Sequence, residues 1–196
     1  VPTVGMAMTL YTVILLLIFY VGVYAQSKHI VGGLLITEWL LIALPTVALL
    51  WYLRVDLLSA LHLRSFRLDG ALAVVAIAFS WLVLAFQLGI WHSNVLPMPE
   101  EMAKQYLQLM HLDEANLAVL LAVIAVSPAI CEELLFRGAI LSGLEKRLPA
   151  WLLIPVVGLL FGVFHLSIYR VALTGLTGMV LTYVVWRTRS LWNGIL

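Results

Sequence analysis

The feature that most constrains this chain is residues 9–24, Thr-Leu-Tyr-Thr-Val-Ile-Leu-Leu-Leu-Ile-Phe-Tyr-Val-Gly-Val-Tyr, which hold no charged side chain. Crossing about 30 Å of hydrocarbon at about 1.5 Å per residue takes about 20 mostly apolar residues. Runs of this kind recur at about 5–24, 33–53, 71–91, 117–136, 150–168 and 171–187, and a seventh begins near Leu191. Hydrocarbon offers no partner to a free N–H or C=O, so spanning segments are helices or closed barrels. No strand-like alternation of apolar and polar residues appears. The chain therefore reads as all-α, a polytopic transmembrane helix bundle of about six spans plus the start of a seventh.

Composition agrees. The chain is 64% hydrophobic and 11% charged, where a soluble domain carries about 25% charged residues. A net charge of +1 without a basic cluster excludes nucleic acid as a partner. The lone Cys131 excludes an internal disulfide. The first run exceeds the apolar core of a signal peptide, which is about 7–15 residues, and more spans follow, so it is expected to be retained. Val1 and the closing apolar run 190–196 are read as the ends of an excerpt from a longer protein.

Two segments between spans look interfacial. Arg54 to Asp69 mixes Leu57, Leu58 and Leu61 with Arg64 and Arg67, as a cytoplasmic stretch drawn to anionic lipid does. Ser93 to Asn116 carries Pro97, Pro99, Glu100, Glu101 and an amphipathic Met102–Leu107–Met110 pattern. The chain divides at this point into N-terminal helices (1–116) and a C-terminal core (117–196). The loops after the second, fourth and sixth spans hold Arg54, Arg64, Arg67, Arg137, Lys146, Arg147, Arg187 and Arg189, against Lys28, Lys104 and Arg170 on the opposite side. The positive-inside rule places the richer set, and residue 1, in the cytoplasm. The membrane expected is the bacterial inner (plasma) membrane.

The fourth span carries the chemistry. Its apolar register runs unbroken from Leu117 to about Arg147, about 45 Å of helix, so its last turns are expected to project into the cytoplasm. Pro128 should bend it. Within it stands Ala-Ile-Cys-Glu-Glu-Leu-Leu-Phe-Arg-Gly, residues 129–138, with no charge between Asn116 and Glu132. An acid inside a span costs about 2.5–3.5 kcal/mol on insertion scales. Glu133 and Arg137 are four apart in the favourable acid-before-base order and pair on one face. Glu132 points about 100° away and has no such partner.

Leu148 and Pro149 reverse the chain. Glu132 lies sixteen to seventeen residues before that turn and His165 the same distance after it. Equal arms put the two at equal depth. Gly158-x-x-x-Gly162 on the His165 helix allows close approach by another helix. A carboxylate beside an imidazole can activate water, stabilise an oxyanion or ligate a metal. It can equally tie two helices together by a hydrogen bond, and spacing alone does not separate these readings.

Glu132-Glu133-x-x-x-Arg137, followed by Phe161-x-x-x-His165, resembles the CPBP family of intramembrane proteases, the type II CAAX prenyl proteases and bacteriocin-processing or self-immunity (Abi-like) proteins. The resemblance covers residues 117–196; the N-terminal half is similar only in its pattern of spans. It implies that Glu132 is the general base acting on water, with His165 beside it and Glu133, Arg137 and Phe161 in support. A later family motif, His-x-x-x-Asn, is expected just past Leu196, after the lead-in Ser190-Leu191-Trp192-Asn193-Gly194-Ile195-Leu196, so the segment alone is expected to be inactive.

The family is often labelled a metalloprotease. A zinc site takes three protein ligands and an open position, and only Glu132 and His165 can be counted. The residues speak against a tightly held metal; a divalent ion such as zinc would rest on those two. The partners implied are the lipid bilayer and a peptide or protein substrate with a membrane-proximal segment, with a fused or associated permease as a further one.

Other protease types fit less well: there is no His-Glu-x-x-His, Gly-x-Ser-x-Gly or Gly-x-Gly-Asp. Cys131 in apolar surroundings reads as an inert thiol rather than a nucleophile. Glu38 is read as reaching the interface from one or two turns inside the second span. His29, His62, His92 and His111 are read as solvated. Trp39, Trp51, Trp91, Trp151, Trp186 and Trp192 are read as an aromatic belt at span ends. The alternatives to a protease are a non-catalytic membrane protein of the same fold (an immunity factor or transporter partner) and a transporter using Glu132 as a proton relay. The last lacks a visible inverted repeat.

Overall fold

The computed structural model describes residues 2–55, 68–102, 104 and 117–195. Helix α1 (Val4–Lys28) starts where the Thr3 hydroxyl accepts the Met6 N–H at 3.3 Å, a side-chain cap on an otherwise unpaired donor. It ends at His29, whose backbone is extended. The His29 Nδ1 then accepts the Gly32 N–H at 3.0 Å and opens α2 (Ile30–Tyr52). After these come α3 (Leu68–Val95), α4 (Ala118–Leu144), α5 (Ala150–Phe164), α6 (Val171–Thr188) and α7 (Trp192–Ile195). The described residues contain no strand. The all-α bundle read from the apolar runs is the observed architecture.

Among the described residues five helices are long and apolar enough to cross a bilayer: α1, α2, Leu72–Val95 within α3, α4 and α6. The protein is an integral membrane protein. The apolar run 150–168 does not give a sixth such helix. It forms α5, whose 15 residues rise about 22 Å, short of a hydrocarbon core of about 30 Å. The helix stops at His165 because Leu166 takes a left-handed backbone, φ 50°, and the chain turns through Ser167 to enter α6. Of the two interfacial segments, 56–67, 103 and 105–116 lie outside the described residues, and with them His62, His111, Arg64 and Arg67.

Proline shapes two helices in the same way. Pro45 and Pro128 each follow a widened π turn, Ile36–Ala43 in α2 and Ala122–Val126 in α4. A proline cannot donate to the preceding turn and its ring crowds the carbonyl four residues back; a widened turn relieves both. The irregularity expected at Pro128 thus takes the form of a π turn inside a continuous α4.

The end of α4 is enclosed by the bundle. Leu135, Phe136, Ala139, Ile140 and Leu141 are fully buried and form the centre of the core. Leu10, Tyr11 and Ile14 of α1, Ile42 and Leu50 of α2, and Leu153, Val157, Phe161 and Phe164 of α5 close around them. One apolar core draws on both 1–116 and 117–196. Tyr11 braces it, donating to the Leu160 carbonyl at 3.0 Å while its ring meets Phe136 edge-on. Outward-facing side chains such as Tyr20, Phe79, Phe86 and Trp151 are exposed, as they are where lipid is the solvent.

Gly158 and Gly162 do bring a helix close, but it is α6 and not α4. A Cβ on Gly162 would sit 2.5 Å from the Val171 carbonyl oxygen, and one on Gly158 would sit 2.8 Å from that of Gly175. Small residues at this spacing let two backbones touch where lipid supplies no hydrophobic drive.

Candidate active site

Glu132 and Glu133 end the stretch Ser127–Glu133 of α4, and the helix turns them to different surroundings. Glu133 is buried, and Arg137, one turn on, is fully buried. The Arg137 Nη1 lies 2.7 Å from the Glu133 Oε1. Its Nη2 donates to the Gly178 carbonyl of α6 at 3.0 Å, and its guanidinium lies 4.7 Å from the Phe161 ring centroid. A buried charge is tolerated when it is paired and hydrogen-bonded, and α5 and α6 complete what α4 begins. Arg137 is therefore an interior ion-pair partner and not one of the loop charges that set orientation. α7 closes the same corner: a Cβ on Gly194 would run into the Glu133 carboxylate.

Glu132 is partly exposed. Among the described residues no hydrogen bond or ion pair engages its carboxylate, since Arg137 is committed to Glu133. The charges that act on it are those of Glu38, Arg137, Glu133 and Arg170. His165 caps α5, with its Nδ1 2.9 Å from the Phe161 carbonyl oxygen. A carbonyl only accepts, so Nδ1 carries the proton and Nε2 is left for other work. The imidazole stands edge-on to Phe161 at 4.9 Å, on the ring that carries Arg137. Arg137 and Arg170 act on His165 as they do on Glu132. Among the described residues no hydrogen bond joins the two directly.

Residues 114–196 match the family model Rce1-like, type II CAAX prenyl endopeptidase. The Rce1-like match bears out the family resemblance that the two motifs carry, and it contains Glu132, Glu133, Arg137, Phe161 and His165. It supports a CAAX-type intramembrane protease, seated in the bilayer and acting on a peptide or protein. No curated protein and no solved structure matches the chain.

Glu38 lies outside the Rce1-like match and is a correction to its interfacial reading. It is buried, 6% exposed, and among the described residues its Oε2 has no hydrogen-bond partner. Its π turn in α2 packs on the Ser127–Glu133 stretch of α4. Trp39 next to it donates Nε1 to the Ser127 hydroxyl at 3.1 Å and so joins two spans. The one signal in the sequence was an acid inside a span with no base three or four residues away. Distance from the span's end explained it as interfacial, and only packing reveals otherwise.

Cys131, against Glu132, is buried. Among the described residues no group of three His, Cys, Asp or Glu side chains is placed to hold a metal ion. The three-ligand requirement of a protein zinc site is not met by the described part of the Rce1-like segment.

Proposed function

We propose that the chain belongs to an intramembrane endopeptidase in which Glu132 activates water for peptide-bond hydrolysis with His165 assisting. The observation that carries this is the division of labour between adjacent acids: Glu133 is consumed by Arg137, while Glu132 is partly exposed and, among the described residues, neither hydrogen-bonded nor ion-paired. A carboxylate with no structural partner, at a motif position of a protease family, is free to take a proton.

In this reading the Glu132 carboxylate removes one proton from water as the water oxygen bonds to the substrate carbonyl carbon. His165, oriented by its Nδ1 proton on the Phe161 carbonyl, assists through Nε2. The proton on Glu132 then passes to the departing amine as the C–N bond breaks. Glu133, Arg137 and Phe161 keep α4, α5 and α6 in register around these groups.

The test is cleavage of a membrane-reaching peptide by the complete protein in lipid vesicles. Glu132→Gln and His165→Ala are each expected to lower kcat by at least about 10²-fold. Turnover retained in both variants overturns the proposal.

We infer also that residue 1 and the basic loops lie in the cytoplasm of a bacterial inner membrane. Arg189 at the end of α6 pairs with Glu145 just beyond α4, so Arg187 and Arg189 lie on the same side as Lys146 and Arg147 and keep the excess there without Arg137. A cysteine replacing Lys146 is expected to escape impermeant thiol reagents in intact cells; its labelling would reverse the orientation.

A further inference from the structure

Glu38 has no local explanation. It stands in the second span with its side chain buried, and among the described residues its Oε2 has no hydrogen-bond partner. No basic residue lies three or four positions from it, so it cannot pair along its own helix. The turn that holds it is pressed against the turn of α4 that ends in Glu132 and Glu133. The Trp39–Ser127 hydrogen bond clamps the two turns together. The Glu38 charge acts on Cys131 and Glu132 of α4, and the guanidinium nearest these acids is already bound by Glu133. π turns of this kind are frequent at functional sites. An acid kept at such cost inside a membrane marks function by default.

We propose that Glu38 is a further residue of the hydrolytic site, its free carboxyl oxygen holding, opposite Glu132, the water that attacks the peptide bond. The inference rests on the hydrolytic reading of Glu132. The water donates one O–H to Glu132, which takes that proton, and its other O–H to Glu38, which accepts the hydrogen bond and no proton. Its oxygen lone pair then bonds to the carbonyl carbon. The tetrahedral intermediate collapses with the C–N bond breaking and the Glu132 proton moving to the amine, so one water and one peptide bond yield one carboxylic acid and one amine. With both O–H directions assigned, the attacking lone pair has a single orientation.

The experiment uses the complete protein in lipid vesicles, with two readouts. The first is steady-state cleavage of a membrane-reaching fluorogenic peptide. Glu38→Met, similar in size but without an acceptor, is expected to lower kcat about 100-fold while KM stays within about twofold. Glu38→Gln, which keeps an acceptor oxygen, is expected to recover kcat to within about tenfold of the parent. Parental kcat in Glu38→Met, or Glu38→Gln no better than Glu38→Met, overturns the proposal. The second readout needs no turnover: the infrared carboxyl band that disappears in Glu132→Gln is expected to shift in both Glu38 variants. An unmoved band overturns the proposal, and Glu38→Gln alone decides it where Glu38→Met does not accumulate. Failure of the protease reading looks different: Glu132→Gln then cleaves like the parent, whatever the band does.

Discussion

Arg137 and Glu133, one helical turn apart and both buried, are 2.7 Å apart at Nη1 and Oε1. The pair is more than a local helix contact, because the same guanidinium bonds the Gly178 carbonyl and covers Phe161. Arg137→Met removes all three and leaves a buried acid alone, a change worth about 3–5 kcal/mol in comparable pairs. Unfolding by SDS titration in mixed micelles should show that loss. Glu133→Gln combined with Arg137→Met should recover most of it, because no uncompensated charge remains.

The contact between α5 and α6 predicts a sharp difference among glycines. Gly162→Ala places a methyl group 2.5 Å from the Val171 carbonyl oxygen, whereas at Gly175 the nearest atom would be 3.5 Å away. Overpacking of this kind costs about 1–3 kcal/mol. Gly162→Ala should therefore unfold at clearly lower SDS, and Gly175→Ala within about 0.5 kcal/mol of the parent.

Trp39 and Ser127 predict a coupled pair. Trp39→Phe and Ser127→Ala each remove the hydrogen bond between these two residues, a contact averaging about 0.6 kcal/mol and reaching about 1.7 kcal/mol inside membrane proteins. The double variant should lose no more than the larger single loss, apart from the packing of the indole, in a double-mutant cycle.

Cys131 predicts silence. The thiol is fully buried in the core, so a membrane-permeant maleimide should label it only after SDS unfolding. Cys131→Ala should cleave the peptide like the parent, while a cysteine nucleophile would lose activity entirely.

Much of this was written in the chain and some was not. The apolar runs announced α1, α2, α3, α4 and α6, since hydrocarbon permits few alternatives to a helix of that length. Counting through His165 and Ser167 overstated α5, because run length does not register a left-handed residue such as Leu166. The apolar register gave no sign that the end of α4 lies at the centre of the core. Burial there is conferred by α1, α2 and α5, none of which is near it in sequence.

The sequence by itself determined the membrane, the helices, the Glu133–Arg137 pair and the motifs that mark the family. These depend on composition and on spacings along one helix, where 3.6 residues per turn fixes which side chains meet. Only the tertiary structure decided that Gly158 and Gly162 receive α6, that Trp39 reaches Ser127, and that Glu38 is buried against the turn bearing Glu132. Each is a choice of neighbour between helices. Several partners satisfy the same apolar surface, and the choice among them is made by close packing and by the polar groups that must find each other inside it.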